Sequence, residues 1–331
     1  MQVVVTGGAG YIGSHVVRCL ARHGHDVVIY DDLSTGHRSL AGGFPLVVGG
    51  LDERDKLVSV LSGFDAVIHC AGYISVGESA EHPRKYLENN AVAGLVLLNA
   101  CLDSGVSKFV FSSTAAVYGI PSRSPISEDV PTLPINPYGC SKLFLEQALE
   151  GYGSAYGLKF VALRYFNAAG ADSSGTIGEI HNPETHLIPC ALEVAAGARD
   201  ELLIFGQDYF TADGTCIRDY VHVTDLAEAH VKALEYLAKG GKSTAMNLGT
   251  GKGYSVKEVV AAVEAVTGRK VRTRLVPPRA GDAPVLVADP SRAQQLLQWT
   301  AKHSLTDMVA SAWMWQKQKE RVLAGLIPAR G

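Results

Sequence analysis

The sequence predicts an α/β protein: a doubly wound parallel sheet in the first half, then a smaller α/β domain. Three observations predict it. Short β-branched runs alternate with helix-length segments up to about residue 170, a glycine-rich turn joins the first run to the first helix, and later segments are shorter and richer in Gly and Pro. In order, the expected strands are Val3–Thr6, Val27–Tyr30, Leu46–Val48, Ala66–Cys70, Phe109–Ser112 and Phe160–Leu163. Helical segments between them include Tyr11–Arg22, Arg84–Asp103 and Tyr138–Tyr156. Strands joined this way by helices run parallel and place ligands outside their carboxyl ends. Beyond the loop-like stretch Ala169–Gly175 come Leu187–Ala196, Leu202–Phe205, Ile217–His222, Leu226–Leu237, Ala245–Leu248, Val256–Val266 and Val271–Val276. The division expected is 1–170 and 171–331, with some later segments packing back on the first part.

The first turn carries chemistry. Gly7, Gly10 and Gly13 follow Val3–Thr6 and lead into the helix that begins at Tyr11. A strand, glycine turn and helix in that order let backbone approach a pyrophosphate, with the helix N-terminus adding partial positive charge. Asp31 ends the next apolar run, at the spacing of a carboxylate that accepts hydrogen bonds from an adenosine ribose. With Asp32 beside it, a 2′-phosphate would be repelled, so NAD is the cofactor expected and the first part reads as a Rossmann-type domain. Gly249–Gly253 resembles a phosphate loop but lacks the Gly-x-x-x-x-Gly-Lys-Ser/Thr spacing and reads as a turn.

Among the thirteen tyrosines only Tyr138 has a lysine four residues later, Lys142. On a helix opened by Asn136-Pro137 the two share one face. A free phenol ionises near pH 10, so about one in a thousand is phenolate at neutrality. A nearby ammonium and a cationic nicotinamide ring would favour the phenolate and lower that pKa. Tyr138 and Lys142 are therefore the candidate proton-transfer pair, with Thr114 preceding them.

Composition excludes several classes. The chain has 331 residues, 47% hydrophobic, with net charge −3 and no basic stripe carrying aromatics, so nucleic acid is not an expected partner. A strand starting at residue 3 leaves no room for a signal peptide, and no apolar run spans a bilayer. Six cysteines are scattered without paired metal spacing, and His222 and His230 lack ligand partners at suitable spacing. A reduced cytoplasmic setting and no structural metal are expected.

The segments Val5–His15, Val76–Ser79, Phe111–Gly119, Asn136–Lys142, Leu163–Asn167, Gly214–His222 and Asn247–Gly251 together resemble the nucleotide-sugar 4-epimerases of the extended short-chain dehydrogenase/reductase family. The first half alone would specify only the superfamily. The resemblance implies an isomerase that interconverts UDP-galactose and UDP-glucose by transient oxidation at sugar C4, with NAD tightly held and regenerated each turnover. Tyr138 would take the proton of the 4-hydroxyl, Thr114 would hydrogen-bond the 4-oxygen, and Lys142 would hold the nicotinamide ribose. It assigns NAD to Gly7, Gly10, Tyr11, Ile12, Gly13, Asp31, Asp32, Leu33, Ser34, Thr35, Gly36, Gly50, Leu51, Cys70, Ala71, Gly72, Ile74, Asn90, Ser112, Tyr138, Lys142 and Phe166. The UDP-sugar falls to Thr114, Tyr138, Asn167, His186, Leu187, Phe205, Arg218, Tyr220, Arg279, Asp282 and Leu286. Arg218 and Arg279 suit a diphosphate, since a guanidinium fork matches its oxygens. Arg218 and Asp219 are adjacent on an expected strand and point to opposite faces, which argues against their pairing. The second part then reads as a UDP-sugar-binding domain, and a homodimer is expected through helices 84–103 and 138–156.

Three positions depart from the family pattern. Ile74 stands where many relatives carry Lys, Gly50 where an acid commonly meets the adenine, and His186 where some relatives have Asn beside the uracil. Other sugar ranges would be N-acetylated or uronate UDP-sugars, although no cationic clamp for a carboxylate is evident. A 4,6-dehydratase would want Asp-Glu after Thr114, where this chain has Ala115-Ala116. A non-catalytic NAD sensor would usually have lost Tyr138 or Lys142.

Overall fold

The computed structural model describes residues 1–279 and 282–326. Its strands are β1 (Gln2–Thr6), β2 (Asp26–Asp31), β3 (Leu46–Val48), β4 (Ala66–His69), β5 (Lys108–Thr114), β6 (Lys159–Tyr165), β7 (Asn167–Ala169), β8 (Leu202–Phe205), β9 (Ile217–His222), β10 (Thr244–Leu248), β11 (Gly253–Ser255), β12 (Thr273–Val276) and β13 (Val285–Leu286). Seven of them form one parallel sheet in the order β10-β6-β5-β4-β1-β2-β3. The expected α/β doubly wound class is borne out. Val3, Val4 and Val5 on the central strand are all fully buried, as a strand covered on both faces requires.

The helices are α1 (Tyr11–Arg22), α2 (Arg54–Leu61), α3 (Val76–Glu81), α4 (Pro83–Tyr86), α5 (Ala93–Asp103), α6 (Pro137–Tyr156), α7 (Leu187–Ala196), α8 (Val223–Ala238), α9 (Val256–Thr267), α10 (Ser291–Leu297) and α11 (Leu305–Leu323). One face of the sheet packs Val16, Val17 and Leu20 of α1 against Leu226, Val231 and Leu234 of α8. The other face carries Leu57 of α2, Leu97 and Leu98 of α5, and Leu145 and Leu149 of α6. β10 pairs with β6, Met246 opposite Leu163. Two elements from the later half, β10 and α8, thus complete the first layer. A separate core joins α7, α9 and α11, and β9 lies at the centre of a small sheet with β7, β11 and β13. No helix among the described residues is long and apolar enough to cross a membrane.

The stretch expected as one helix over 84–103 is interrupted. A wide π turn, Leu87–Val92, separates α4 from α5 and turns Asn90 inward. Such bulges re-aim single side chains, frequently at functional sites.

Four histidines are buried beside the sheet and held neutral. Burial lowers His15 and His69 from the ordinary 6.5 to about 3 and His222 and His230 to about 4. In the unfolded chain each would bind a proton once pH falls below 6.5, so stability is lost as pH falls from 6.5 towards 4. At pH 5 each contributes a loss of about 1–2 kcal/mol. Melting temperature should therefore drop clearly between pH 7 and pH 5; a flat profile over that range would contradict the neutral assignment.

Candidate active site

The carboxyl ends of β1, β2, β4 and β5 form one rim, and the glycine turn sits on it. Gly7 has φ +71°, and a Cβ there would lie 2.5 Å from the backbone nitrogen of Ala71, so only glycine lets the turn rest on the end of β4. A Cβ on Gly13 would fall 2.1 Å from the carbonyl oxygen of Gly7, which fixes the close packing of α1 on the turn. Gly10 differs, since a Cβ there meets only the Gly7 oxygen at 3.2 Å, on the outer side of the turn. It is the N-cap of α1, and no side chain caps it. The first amides of α1 have no intrahelical partner and face a place that accepts an anion.

Asp31, at the end of β2, accepts hydrogen bonds from the amides of Ala9 and Leu33, both at 2.9 Å. Burial raises its pKa and these two bonds oppose the rise. The carboxylate ties the glycine turn to the following loop, where Leu33 adopts φ +60° and Asp32 accepts the Ser34 amide at 2.8 Å. Gly36 leaves the space this carboxylate occupies, since a Cβ there would lie 2.7 Å from it. Further along the rim, a cleft of about 750 Å3 is lined by Asp32, Gly50, Leu51 and Tyr73 among others. Ile74 is 41% exposed, which fits a position without a polar tether.

Tyr138 and Lys142 occupy the start of α6, where Asn136 caps the helix by accepting the Gly139 amide at 2.8 Å. Lys142 Nζ donates to the Ser112 carbonyl at 3.0 Å. Thr114, at the last position of β5, is the side chain that favours the Tyr138 phenolate. Thr114 Oγ1 also accepts the Ala116 amide at 3.1 Å, which starts a 3-10 turn over Ala115–Tyr118. The lowering expected for Tyr138 counts on a cationic nicotinamide ring as well as the ammonium; in the chain by itself burial raises the pKa and Thr114 acts downward. Lys142 is itself buried and lowered to about 8. The sequence told of an ammonium four residues away but not that both groups are stripped of water, which disfavours both charges.

Neighbouring groups hold this pair. Asn90 spends its amide on the Tyr73 backbone, accepting at 2.9 Å and donating at 3.0 Å, and reaches Ser141 at 3.2 Å. Ser112 Oγ lies 2.8 Å from His230 Nε2 and 3.3 Å from the Cys70 sulfur, whose pKa burial raises to about 11. Four further residues escaped the sequence reading. Glu146 of α6 and Arg164 of β6 form a buried ion pair, Ser113 donates to Glu146, and Arg164 donates to Tyr118 Oη at 3.0 Å. These contacts lock α6 against β5 one residue from Thr114. Their sequence separation left no spacing signal.

On the other side, Asn167 and Tyr220 are register partners on β7 and β9. Arg218 pairs with Asp282 and not with its neighbour Asp219. Asp219 instead accepts the amides of Thr250, Gly251 and Ala288, at 2.9, 3.0 and 3.2 Å, which makes Gly249–Gly253 a turn built on a carboxylate. Arg218 and Asp282 were both expected to meet UDP; by itself the chain joins them to each other. Arg279 lies over the Phe205 ring, 3.9 Å from its centre. Leu286 of β13 is opposite Arg218 and packs against the cluster of Ala115, Val117 and Tyr118, as does Phe166. His186 caps α7 just before Leu187, and its Nδ1 faces Glu179 at 2.7 Å.

The profile of the NAD dependent epimerase/dehydratase family matches residues 3–249. This chain belongs to that family. Within it, the chain is 47% identical to the UDP-glucose 4-epimerase of Rhizobium meliloti, over 97% of this chain and 98% of the relative. Its fold is similar to a UDP-glucose 4-epimerase from Stenotrophomonas maltophila with bound NAD and formylated UDP-arabinopyranose. The TM-score is 0.94 and identity 42%, covering 97% of this chain and 99% of the other. A Brucella ovis UDP-glucose 4-epimerase in complex with NAD matches with TM-score 0.92 and 48% identity, over 94% and 97% of the two chains. For this family member, the uncapped first turn of α1 and the open side of Gly10 fit the pyrophosphate of a dinucleotide, and the paired acids at 31 and 32 fit an unphosphorylated adenosine ribose.

Proposed function

We propose that the chain is an NAD-dependent UDP-glucose 4-epimerase that interconverts UDP-galactose and UDP-glucose. The observation that carries the reading is the buried Tyr138–Lys142 pair on one face of α6, with Thr114 acting on the phenol, on the rim that the glycine turn shares. Bound NAD supplies a hydride acceptor for sugar C4 and a donor for its return. The chain's own residues do the rest. Thr114 Oγ1 accepts the Ala116 amide, and its hydroxyl proton can be donated to Tyr138 or a sugar oxygen. Tyr138 Oη takes the 4-hydroxyl proton and gives it back after the ring has turned. Because burial opposes the phenolate, nearby positive charge is needed to reach it, and Lys142 is the positive side chain four residues along the same helix.

The adenosine half falls to Asp31, Asp32 and the 33–36 loop, with Gly50, Leu51, Cys70, Ala71 and Gly72 along the same rim. UDP falls to Asn167, His186, Leu187, Phe205, Arg218, Tyr220, Arg279 and Asp282. In role, residues 1–170 hold NAD and 171–331 hold the UDP-sugar, with β10 and α8 structurally part of the first layer. Purified protein should epimerise UDP-galactose without added NAD and release about one NAD(H) per chain on acid extraction. Cofactor-free, folded protein that stays inactive when NAD is supplied would overturn the reading.

The protein acts as a homodimer in this proposal. Leu87, Val92, Phe144 and Tyr156, on the segments 84–103 and 138–156, are 43, 57, 43 and 66% exposed. Apolar groups on two adjacent segments form the kind of surface that a second copy covers. Sedimentation at micromolar concentration should give the dimer mass; a monomer would remove the claim.

A further inference from the structure

The loop from β7 to α7 carries a cluster of four side chains, of which only His186 has a place in the proposed UDP site. Within eight residues, Glu179, His181, Glu184 and His186 turn four ligand atoms inward, all within 4.8 Å of one another. His181 Nδ1 lies 3.1 Å from Glu179 and 3.7 Å from Glu184; His186 Nδ1 lies 2.7 and 3.3 Å from the same two carboxylates. Both glutamate side chains are only 7% exposed. We propose that these four side chains form a binding site for a divalent transition cation, with Zn2+ the ion that fits best.

With no ion bound, the two carboxylates favour protonated imidazoles and raise His181 to about 9 and His186 to about 10; the placement of the Nδ1 atoms is nonetheless that of ligands and not of donors. Both Nδ1 atoms are sealed from solvent and neither makes a hydrogen bond of acceptable angle, although carboxylate oxygens are at contact distance. A protonated imidazole would aim its N–H at an oxygen. Ring nitrogens that approach the oxygens without that alignment suit lone pairs directed at a shared centre. Tetrahedral zinc with bonds of about 2.0–2.2 Å needs ligand atoms about 3.3–3.6 Å apart, and the four His–Glu separations straddle that value. Two imidazoles and two carboxylates suit Zn2+, Co2+ or Mn2+ more than soft Cu(I), and their combined charge balances a divalent ion. A cavity of about 20 Å3, lined in part by Glu179 and Glu184, adjoins the cluster.

The surroundings are built to hold these ligands. Trp315 Nε1 of α11 donates to the Glu179 carbonyl at 2.8 Å, and Glu184 accepts the amides of Thr185 and His186 at 2.8 and 2.9 Å. The ion would therefore tie the 170–186 loop to α7 and α11, a structural role apart from the proton-transfer pair. The sequence reading passed over the site because it sought paired cysteine or histidine spacing, whereas the signal is Glu-x-His-x-x-Glu-x-His.

The test uses the full chain, dialysed against metal-free buffer and then given ZnSO4. Elemental analysis after desalting should find about one zinc per chain. CoCl2 in its place should give the visible bands of tetrahedral cobalt. His181→Gln and Glu184→Gln should each weaken zinc binding at least tenfold. Cys19→Ser, in the separate Cys19–His23–Glu228 group, should leave it unchanged. Should either ligand variant fail to fold, the wild-type protein still decides: chelation should lower its melting temperature and ZnSO4 should restore it. Less than a tenth of a zinc per chain in wild type, or unchanged zinc binding in folded ligand variants, would overturn the proposal.

Discussion

Tyr138→Phe should lose about 10²–10⁴-fold in turnover while binding UDP-sugar much as the unaltered protein does. That loss corresponds to about 3–5 kcal/mol of transition-state stabilisation. The substitution removes one oxygen and leaves the ring, which lies edge-on to Tyr86 at 6.4 Å between centres, so packing at the start of α6 is preserved. The Thr114 hydroxyl keeps its bond from the Ala116 amide and loses only its phenol partner. Comparing kcat with the dissociation constant for UDP separates the two roles. A variant that kept more than a tenth of the turnover would show that another group moves the proton.

Leu286→Ser should raise turnover of N-acetylated UDP-sugars relative to plain ones by about 10–200-fold. Leu286 is half-buried between the Ala115 turn and the strand that carries Arg218. By the family resemblance this apolar branch would stand beside the sugar 2-substituent, where an acetamide would need room and would find no hydrogen bond. In the unaltered protein UDP-galactose and UDP-glucose should be the preferred pair, with UDP-GlcNAc a poor substrate. Serine removes three carbons and adds a hydroxyl. The measurement is kcat/KM for both substrate types on both proteins. Equal values for the two types in the unaltered protein would sink the gating argument.

The parallel sheet was legible because its strands are short, fully apolar and separated by helical segments; Val3–Thr6, Ala66–His69 and Phe109–Ser112 need no tertiary information to stand out. The glycine turn and the Tyr138–Lys142 spacing were legible for the same reason, since each is local. Contacts between distant segments were not. Glu146–Arg164 and Arg218–Asp282 join residues on separate elements, and nothing in either segment announces its partner. Burial was equally hidden: spacing gives proximity to a charge, whereas desolvation depends on everything packed around Tyr138 and Lys142. The π turn at Leu87–Val92 also lay beyond periodicity, which sees an unbroken helix there.

The interleaving of the two halves has a consequence for how this chain can be divided and diversified. β6 is flanked on one side only by β10, and the face over α1 is closed by α8, so a fragment ending near residue 170 would carry an open parallel edge and a bare apolar face. Such a fragment is an aggregation hazard and not a portable module. The insertions between those shared elements sit differently. The described residues of 171–222 and 249–290 contribute no strand to the seven-stranded sheet and lie between its shared elements. One framework can in this way accommodate new sugars by rewriting two excursions, while its hydride and proton apparatus is inherited intact.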